Sequence, residues 1–161
     1  MKIMRWAAMA MLAGIAAAQH IEVSPAKGPA VGTLLVATSK SHDADLKQSV
    51  VLVVHSGAEG VIGLILNHPL DGAAYFGGPI PIGTRTLVRS KSRPGDGEAI
   101  VDGVFMVGRR VDAGRVFVGY VGWTVQQVKD EIARGLWTVR FGDAAVVFDG
   151  RPETLWRRLG R

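Results

Sequence analysis

Two apolar runs separated by a glycine-rich turn form the clearest hydrophobic pattern in the chain. Residues 49–67 read SVVLVVHSGAEGVIGLILN, in which β-branched residues flank the sequence SGAEG at positions 56–60. β-Branched residues favour strands, and a short connection that contains glycine is typical of a hairpin. The pattern therefore predicts two strands joined at residues 56–60.

Shorter apolar segments predict the other strands of a sheet-rich domain. They lie at residues 32–38, 86–90, 103–107, 115–120, 138–141 and 145–148. Two helical turns are predicted as well, one within residues 40–48 with Asp43 as its cap and one at residues 153–159. The segment SKSRPGDGE, residues 90–98, has the composition of an exposed loop.

A capping pattern predicts one longer helix. Thr124 is followed three residues later by Gln127, and in such a capping box each side chain satisfies a backbone N–H that the first helical turn leaves unpaired. Gly135 supplies the residue that ends a helix in the left-handed conformation. The predicted helix spans residues 125–134, with Asp130 and Arg134 in the favourable i to i+4 order.

Trp123 lies directly before this predicted cap, in the stretch GYVGW. A hydrophobic residue at this position packs on the first turns of the helix, so we predict that Trp123 contacts Val128 as part of the core. The alternative is that the aromatic entry at residues 120–123 forms an exposed platform for a ligand or partner.

Composition limits the classes of protein to which the chain can belong. Its 161 residues, 48% of them hydrophobic, support one ordinary core, and its 21 glycines favour tight turns in a sheet. The chain contains no cysteine, which excludes disulfides, thiolate nucleophiles and cysteine-ligated metal centres.

The amino terminus has the pattern of a secretory signal peptide. Lys2 and Arg5 precede an apolar run, and alanines at positions 16–18 form a small-residue cleavage pattern. We predict that residues 1–18 are removed, that residues 19–31 are a loose lead-in and that residues 32–161 form the domain. The mature protein would be exported, periplasmic or secreted, without a membrane anchor; without processing it would be cytoplasmic. Loss of the two basic residues lowers the formal net charge from +5 to +3.

The ordered series of apolar and glycine-containing segments resembles the YqgE/AlgH family (UPF0301, DUF179). The matching pieces are GTLLVA, then SVVLVVHSGAEGVIGLILNHPL, GGPI, RVFVGYVGWTVQQVKDEIARGLW, and finally VVFD with LW, together spanning residues 32–156. The resemblance implies an α+β fold, a single compact domain with a mixed, largely antiparallel β-sheet and a few flanking helices. It implies no established catalytic activity.

Two internal departures from the family pattern shorten the helical layer. Only DGAAYF, residues 71–76, separates the NHPL run from GGPI, where family members usually carry a helical segment. Residues 108–114 are likewise too short for the helix that normally precedes the GYxGW strand. We therefore expect a helical layer that is trimmed relative to the family.

Four residues form the candidate pocket that the sequence predicts. Asn67 and His68 close the second hairpin strand before a proline, and Gly77 and Gly78 precede another proline in GGPI. Asn67 can bind backbone in a corner or present a polar group to a pocket beside GGPI. Glycine backbone can cradle an anion, but no phosphate-binding signature surrounds this pair, so a tight turn is the competing interpretation.

No residue pattern predicts catalysis, a cofactor or a metal. His42 with Asp43 and Asp45 offers metal ligands, but neighbouring residues in one short loop seldom converge on an ion without a third element. His55 is predicted to end a strand, because the G-x-S-x-G pattern of a nucleophile elbow is absent. The carboxylates form no paired motif.

These observations favour a non-enzymatic binding or regulatory domain. Its partner is unknown, and a protein is one candidate. A transcriptional regulator associated with nucleic acid is one alternative, although specific nucleic-acid binding is not expected because the predicted helix balances Lys129 and Arg134 against Asp130 and Glu131. A hydrolase or metal enzyme is the other alternative. It would require His42, His55 or His68 to meet carboxylates in one cleft.

Overall fold

The computed structural model describes residues 28–160. The predicted signal peptide and its cleavage position lie outside these residues. Gly28 and Pro29 are buried, and Gly28 lies against Val61 and Val128. Packing therefore starts before Val31, within the segment that the sequence interpretation assigns to a loose lead-in.

Within residues 28–160, nine strands and a few short helices make up the domain. The strands are β1 (Thr33–Ala37), β2 (Val50–Gly57), β3 (Gly60–Ile65), β4 (Ala74–Phe76), β5 (Ile80–Arg89), β6 (Glu98–Val101), β7 (Val104–Val107), β8 (Arg115–Trp123) and β9 (Trp137–Phe141). The helices are α1 (Val125–Ala133), α2 (Ala144–Val147) and α3 (Leu155–Leu159), with 3-10 turns at Asp71–Ala73 and Pro152–Thr154.

The strands form one curled and largely antiparallel sheet in the order β6-β7-β5-β8-β3-β2-β1-β9. The short strand β4 pairs in parallel with the first half of β8, while β3 pairs with the second half. At Gly32, directly before β1, an added Cβ would lie 2.6 Å from the carbonyl oxygen of Ile100 in β6. The curl thus brings the β6 side of the sheet against the start of β1. This is the α+β fold that the family resemblance implies.

Each face of the sheet carries its own hydrophobic core. One core includes Leu34, Leu52 and Phe117 and packs against α2 and α3 through Val147 and Leu155. The other core includes residues from β1, β2, β3 and β8 and packs against α1; its members include Leu35, Val51, Val61, Val121, Trp123, Val128 and Trp137.

The predicted helix and its entry are confirmed. The Thr124 side chain accepts a hydrogen bond from the N–H of Gln127 at 3.1 Å, and the Gln127 side chain accepts one from the N–H of Thr124 at 2.8 Å. Gly135 follows the helix with a φ of 74°. Trp123 and Val128 are buried in one core, as the staple requires.

The charge pair expected within this helix does not form as predicted. The Asp130 carboxylate accepts a hydrogen bond from the side chain of Gln126, four residues before it, at 2.8 Å. Arg134, four residues after it, instead closes the helix through its backbone N–H, which donates to the carbonyl of Asp130. The polar contact of Asp130 is therefore directed toward the start of the helix.

The predicted strand at residues 145–148 is wrong, because these residues belong largely to helix α2. The Asp143 side chain accepts a hydrogen bond from the N–H of Val146 at 2.8 Å, which makes Asp143 the cap of this short helix. The valines at positions 146 and 147 favour a strand, but the local cap prevails. Strands β4 and β6 were not predicted. β4 lies within residues 71–76, which were interpreted as a short connection, and β6 begins at Glu98, the last residue of the predicted loop.

The two segments that were expected to lack the helices of other family members contain turns instead. Residues 71–76 form a 3-10 turn followed directly by β4, and residues 108–114 contain no helix. The predicted turn near Asp43 exists without forming a regular helix: the Asp43 carboxylate accepts from the N–H groups of Asp45 and Leu46.

Candidate functional site

A glycine in β8 changes which side chains face each side of the sheet. Gly119 has a φ of 73°, a conformation that glycine adopts without a steric penalty. An added Cβ there would lie 2.6 Å from the carbonyl oxygen of Gly78 and 2.7 Å from that of Ile80. Because of this irregularity, Phe117 and Tyr120 pack on the same core although an odd number of positions separates them along the strand.

Beyond Gly119 the side chains of β8 alternate in the usual way. Val121 and Trp123 point into the core beneath α1. Tyr120 points to the opposite face, and Gly122, which pairs with Ile62 of β3, lies on that face too. In β5, Ile80 pairs with Tyr120 and Thr84 pairs with Val118 of β8. Three residues of β5 but only one of β8 lie between these two pairs, so this part of β5 bulges outward.

The bulge and the alternation open a cavity of about 530 Å³, which we call the β8 cleft. Its floor is formed by Ile62, Ile80, Tyr120 and Gly122, and its rim includes His55, Glu59 and Thr124. A side chain at Gly122 would begin 3.0 Å from Ile80 Cδ1 and 3.4 Å from Tyr120 Cε2. The absence of a side chain at Gly122 therefore lets Ile80 and Tyr120 lie close against β8, where they form the floor.

Arg85 of β5 places a positive charge next to Tyr120, one of the residues that line the β8 cleft. Its guanidinium carbon lies 4.7 Å from the centre of the Tyr120 ring, the geometry of a cation–π contact. Within residues 28–160, Arg85 forms no ion pair and no side-chain hydrogen bond. Its N–H groups are thus available to an anion beside the ring.

His55 and Glu59 meet at the rim, on the β2–β3 hairpin. His55 Nε2 contacts Glu59 Oε1 four residues along the chain, and β2 continues for two residues beyond His55. A hydrogen bond from its own backbone N–H, followed by the contact with His55, holds the pKa of Glu59 below its ordinary value. The pair therefore brings one histidine and one carboxylate to the mouth of the β8 cleft.

Asn67 and His68 lie in a different depression, here called the Asn67 groove. It has a volume of about 360 Å³ and is lined by Ala44, Lys47, Gln48, Asn67, His68, Glu153, Trp156 and Arg157. Asn67 Oδ1 accepts from the N–H of Val50 at 2.8 Å, and its Nδ2 donates to the carbonyl of Gln48 at 2.9 Å. These bonds hold Gln48 at a φ of 56°, so Asn67 stabilises the entry to β2.

His68 is half-buried in this groove. Its ring stacks on Phe76 with the centroids 6.3 Å apart, and burial lowers the pKa of the imidazole. The groove also contains the exposed cations Lys47 and Arg157 beside the carboxylate of Glu153. The arrangement can bind a polar group, but its mixture of charges favours neither sign.

Gly77 and Gly78 lie against the backbone of β8. The N–H of Gly77 donates to the carbonyl of Val118, and its carbonyl accepts from the N–H of Ile65. A Cβ on Gly78 would lie 2.1 Å from the carbonyl carbon of Tyr120. Close approach of two backbones therefore explains both glycines, and neither lines the groove that holds Asn67 and His68.

The sequence interpretation did not find the β8 cleft. Its residues come from β2, β3, β5 and β8, and only strand pairing brings them together. The one local signal was Gly122 between Tyr120 and Trp123, which places a glycine among aromatic residues in a strand. Within residues 28–160, no group of three or more histidine and acidic side chains could hold a metal.

No helix in the described part of the chain is long and apolar enough to cross a membrane. The chain is an α+β domain with a curled antiparallel sheet and an open cleft beside β8. The family profile of the AlgH-like proteins (DUF179) matches residues 34–161, and the chain belongs to this family.

Related proteins cover most of the chain. A UPF0301 protein of Chlorobium luteolum is 28% identical over 160 residues, covering 82% of this chain and 85% of the relative. A UPF0301 protein of Streptomyces avermitilis is 29% identical over 167 residues, covering 81% and 84%.

Two solved structures share the fold. Protein DIP2367 from Corynebacterium diphtheriae superposes with a TM-score of 0.71 at 22% identity, covering 81% of this chain and 85% of that one. The solution structure of the AlgH protein from Pseudomonas aeruginosa gives a TM-score of 0.65 at 20% identity, covering 80% and 84%.

Proposed function

We propose that this AlgH-like protein is a non-enzymatic binding domain and that the β8 cleft takes an amphiphilic ligand with an apolar, flat body and an anionic group. The observation that supports this proposal is the position of the Arg85 guanidinium over the Tyr120 ring at the edge of an apolar floor.

The floor favours the apolar part of such a ligand. Ile62, Ile80 and Tyr120 present apolar surface to the β8 cleft, and Gly122 lets Ile80 and Tyr120 lie close against the strand. Ligand sites are typically concave and mostly apolar, with a few polar groups that set orientation. The size of the β8 cleft, about 530 Å³, lies within the range of small-molecule sites.

Arg85 favours the anionic part. A guanidinium that stacks on a ring through its face keeps its N–H groups at the edge, where they can bind a carboxylate, sulfonate or phosphate oxygen. A ligand with its apolar body against Ile62 and Ile80, beside Tyr120, would thus bring an attached anion to Arg85.

Binding of 8-anilinonaphthalene-1-sulfonate tests the proposal, because this probe joins an aromatic body to a sulfonate and fluoresces in apolar sites. We expect saturable binding to the native protein below about 1 mM. Gly122→Val should weaken binding by at least about tenfold, because the new side chain would displace Ile80 and Tyr120 from the floor. Arg85→Gln should weaken it by about threefold to tenfold by removing the cation.

Arg89→Gln is the matched control, since Arg89 is an exposed arginine at the far end of the same strand. It should bind the probe as the wild type does. The proposal is wrong if the wild type shows no saturable binding in this range, or if Gly122→Val binds the probe unchanged while remaining folded by circular dichroism.

A hydrolase is a second candidate, and the contact between His55 and Glu59 at the cleft rim is the observation in its favour. A carboxylate can orient a histidine that acts as a general base. The test compares hydrolysis of 4-nitrophenyl acetate by the wild type and by His55→Gln. A saturable rate that falls at least about tenfold in the variant would favour a hydrolase. Equal rates would favour the non-enzymatic binding domain.

A further inference from the structure

The outer side of strand β9 is an open sheet edge that exposes apolar side chains. β9 pairs with β1 on one side, and within residues 28–160 no strand pairs with it on the other. The Phe141 side chain is 94% exposed and Val139 is 42% exposed. Edge strands of this kind usually carry charges, prolines or bulges that prevent pairing with another chain. β9 has only Arg140.

Backbone hydrogen bonds show which groups of β9 point outward. The N–H of Gly142 donates to the carbonyl of Gly32, and the N–H of Thr38 donates to the carbonyl of Leu136. In an antiparallel pair these bonds fall on alternate residues, so the even-numbered residues of β9 bond to β1. The N–H and C=O groups of Trp137, Val139 and Phe141 therefore point to the open edge.

We propose that β9 is a homodimer interface, in which the β9 strands of two copies pair antiparallel about a two-fold axis at Val139. This register places Val139 opposite Val139 of the second copy, and Trp137 opposite Phe141. All three outward residues then exchange backbone hydrogen bonds with the second copy, as antiparallel pairing requires. The same patch on both subunits meets itself, which is the property of a two-fold interface.

Side-chain charges favour this register over its neighbours. With the axis at Val139, Arg140 lies opposite Thr138 of the second copy. Moving the axis by one residue to Arg140 would place two arginines directly opposite each other, which is unfavourable across a strand pair. Moving it to Thr138 would place Arg140 opposite Leu136 and leave fewer outward groups paired.

The apolar side chains support the same arrangement. Trp137, Val139 and Phe141 lie on the face covered by α1, because they pair with Ala37, Leu35 and Thr33 of β1. Only Trp137 is buried by its own chain. In the dimer, the exposed Phe141 of each copy would lie beside Trp137 of the other and lose much of its contact with water. A five-residue strand pair is a small interface, so we expect a concentration-dependent dimer.

Disulfide trapping in the full chain tests the register, because the natural sequence contains no cysteine. Residues that face each other in a hydrogen-bonded antiparallel pair have Cα atoms about 5.5 Å apart, which a disulfide can bridge. Val139→Cys should therefore form a covalent dimer at least about tenfold faster than two controls under the same mild oxidation. Val118→Cys is matched in exposure, at 40% against 42%. Phe141→Cys lies on the same strand but away from the axis.

Sedimentation tests the interface without oxidation. The wild type should show a dimer that grows with concentration up to about 1 mM. Val139→Pro should be monomeric, since it removes an outward N–H and leaves the bonds to β1 in place. Phe141→Lys should also be monomeric, and it changes only a side chain that is already exposed. The proposal is overturned if Val139→Cys reacts no faster than both controls, or if the wild type is a monomer throughout this range.

Discussion

The two faces of strand β8 differ in how completely their side chains are packed and hydrogen-bonded. Beneath α1, the rings of Trp123 and Trp137 meet edge to face at 5.9 Å, and both indole N–H groups donate to the same oxygen of Glu131, at 3.0 and 2.7 Å. On the other face, Tyr120 contacts Arg85, and the β8 cleft lies open beside Ile62, Ile80 and Tyr120.

This difference teaches that one short stretch can serve stability and binding at once. Residues 120–123 alternate between the faces, so Trp123 completes a core while Tyr120 and Gly122 form the floor of a cleft. The closed face should therefore respond to substitution mainly in the free energy of unfolding. The open face should respond mainly in ligand affinity.

The largest expected effect contrasts two aromatic residues of β8. Trp123→Ala should lower the free energy of unfolding by about 3–5 kcal/mol, because it removes a buried ring that packs on Val128 and Trp137. Tyr120→Ala should cost less than half as much, since its ring is only partly buried. Denaturant unfolding curves with equal slopes measure both losses. Equal losses would contradict the division between the faces.

Removal of the shared acceptor tests the closed face more finely. Glu131→Leu leaves two indole N–H groups without their partner and should lower the free energy of unfolding by roughly 2 kcal/mol. Glu131→Gln keeps an oxygen that can accept from both indoles and should cost clearly less. Thermal and denaturant unfolding of the two variants compare them. A Leu variant as stable as the Gln variant would show that the shared hydrogen bonds add nothing.

Thr124 lies at the junction of the two regions, because it caps α1 and also lines the rim of the β8 cleft. Thr124→Ala should lower the free energy of unfolding by about 0.5–2 kcal/mol through loss of the cap. Thr124→Ser, which keeps the hydroxyl, should restore most of it. We expect Thr124→Ser, which keeps the hydroxyl at the rim, to bind the probe as the wild type does. A loss of probe affinity without a loss of stability would assign Thr124 to the open face instead.

The smallest expected effect concerns pH and the Asn67 groove. Burial lowers the pKa of His68, so the unfolded chain takes up a proton at higher pH than the folded chain does. Stability from this residue is fully present above the ordinary histidine pKa of about 6.5 and is lost as pH falls below it. The decrease in unfolding free energy between about pH 8 and about pH 5 should therefore be smaller in His68→Gln than in the wild type.

His42→Gln is the control for this measurement, since His42 is exposed. It should show the same decrease as the wild type. If His68→Gln also behaves as the wild type, burial of His68 has no consequence for stability.

Local chemistry explains which parts of the fold the sequence could predict. The helix α1 follows from Thr124, Gln127 and Gly135, whose interactions lie within a few residues of each other. The β2–β3 hairpin is equally local. The error at residues 145–148 arose where a strand-favouring pair of valines followed Asp143, and the cap on that short helix outweighed their preference.

The cleft could not be predicted in the same way, because its geometry depends on pairing between distant segments. Ile62 and Ile80 reach the floor only through their positions beside β8. Asn67 and His68 were singled out as unusual polar residues at a strand end, and the structure places them in a groove with Trp156, which lies far along the chain. Composition carries no information about such long-range neighbours.

The left-handed conformation at Gly119 has a consequence for how β8 tolerates substitution and deletion. Side chains of a regular strand alternate between the two faces, and Gly119 interrupts this alternation, so that each residue after it lies on the face opposite to the one that a regular strand would give it. If residue 119 became extended, Trp123 would fall on the face of Phe117, and Tyr120 would turn toward α1. Deletion of Gly119 would remove the extra position together with this interruption. Deletion of Gly119 would thus keep every side chain of β8 on its present face of the sheet. An extended conformation at residue 119 would instead move the side chains of residues 120–123 to the opposite faces.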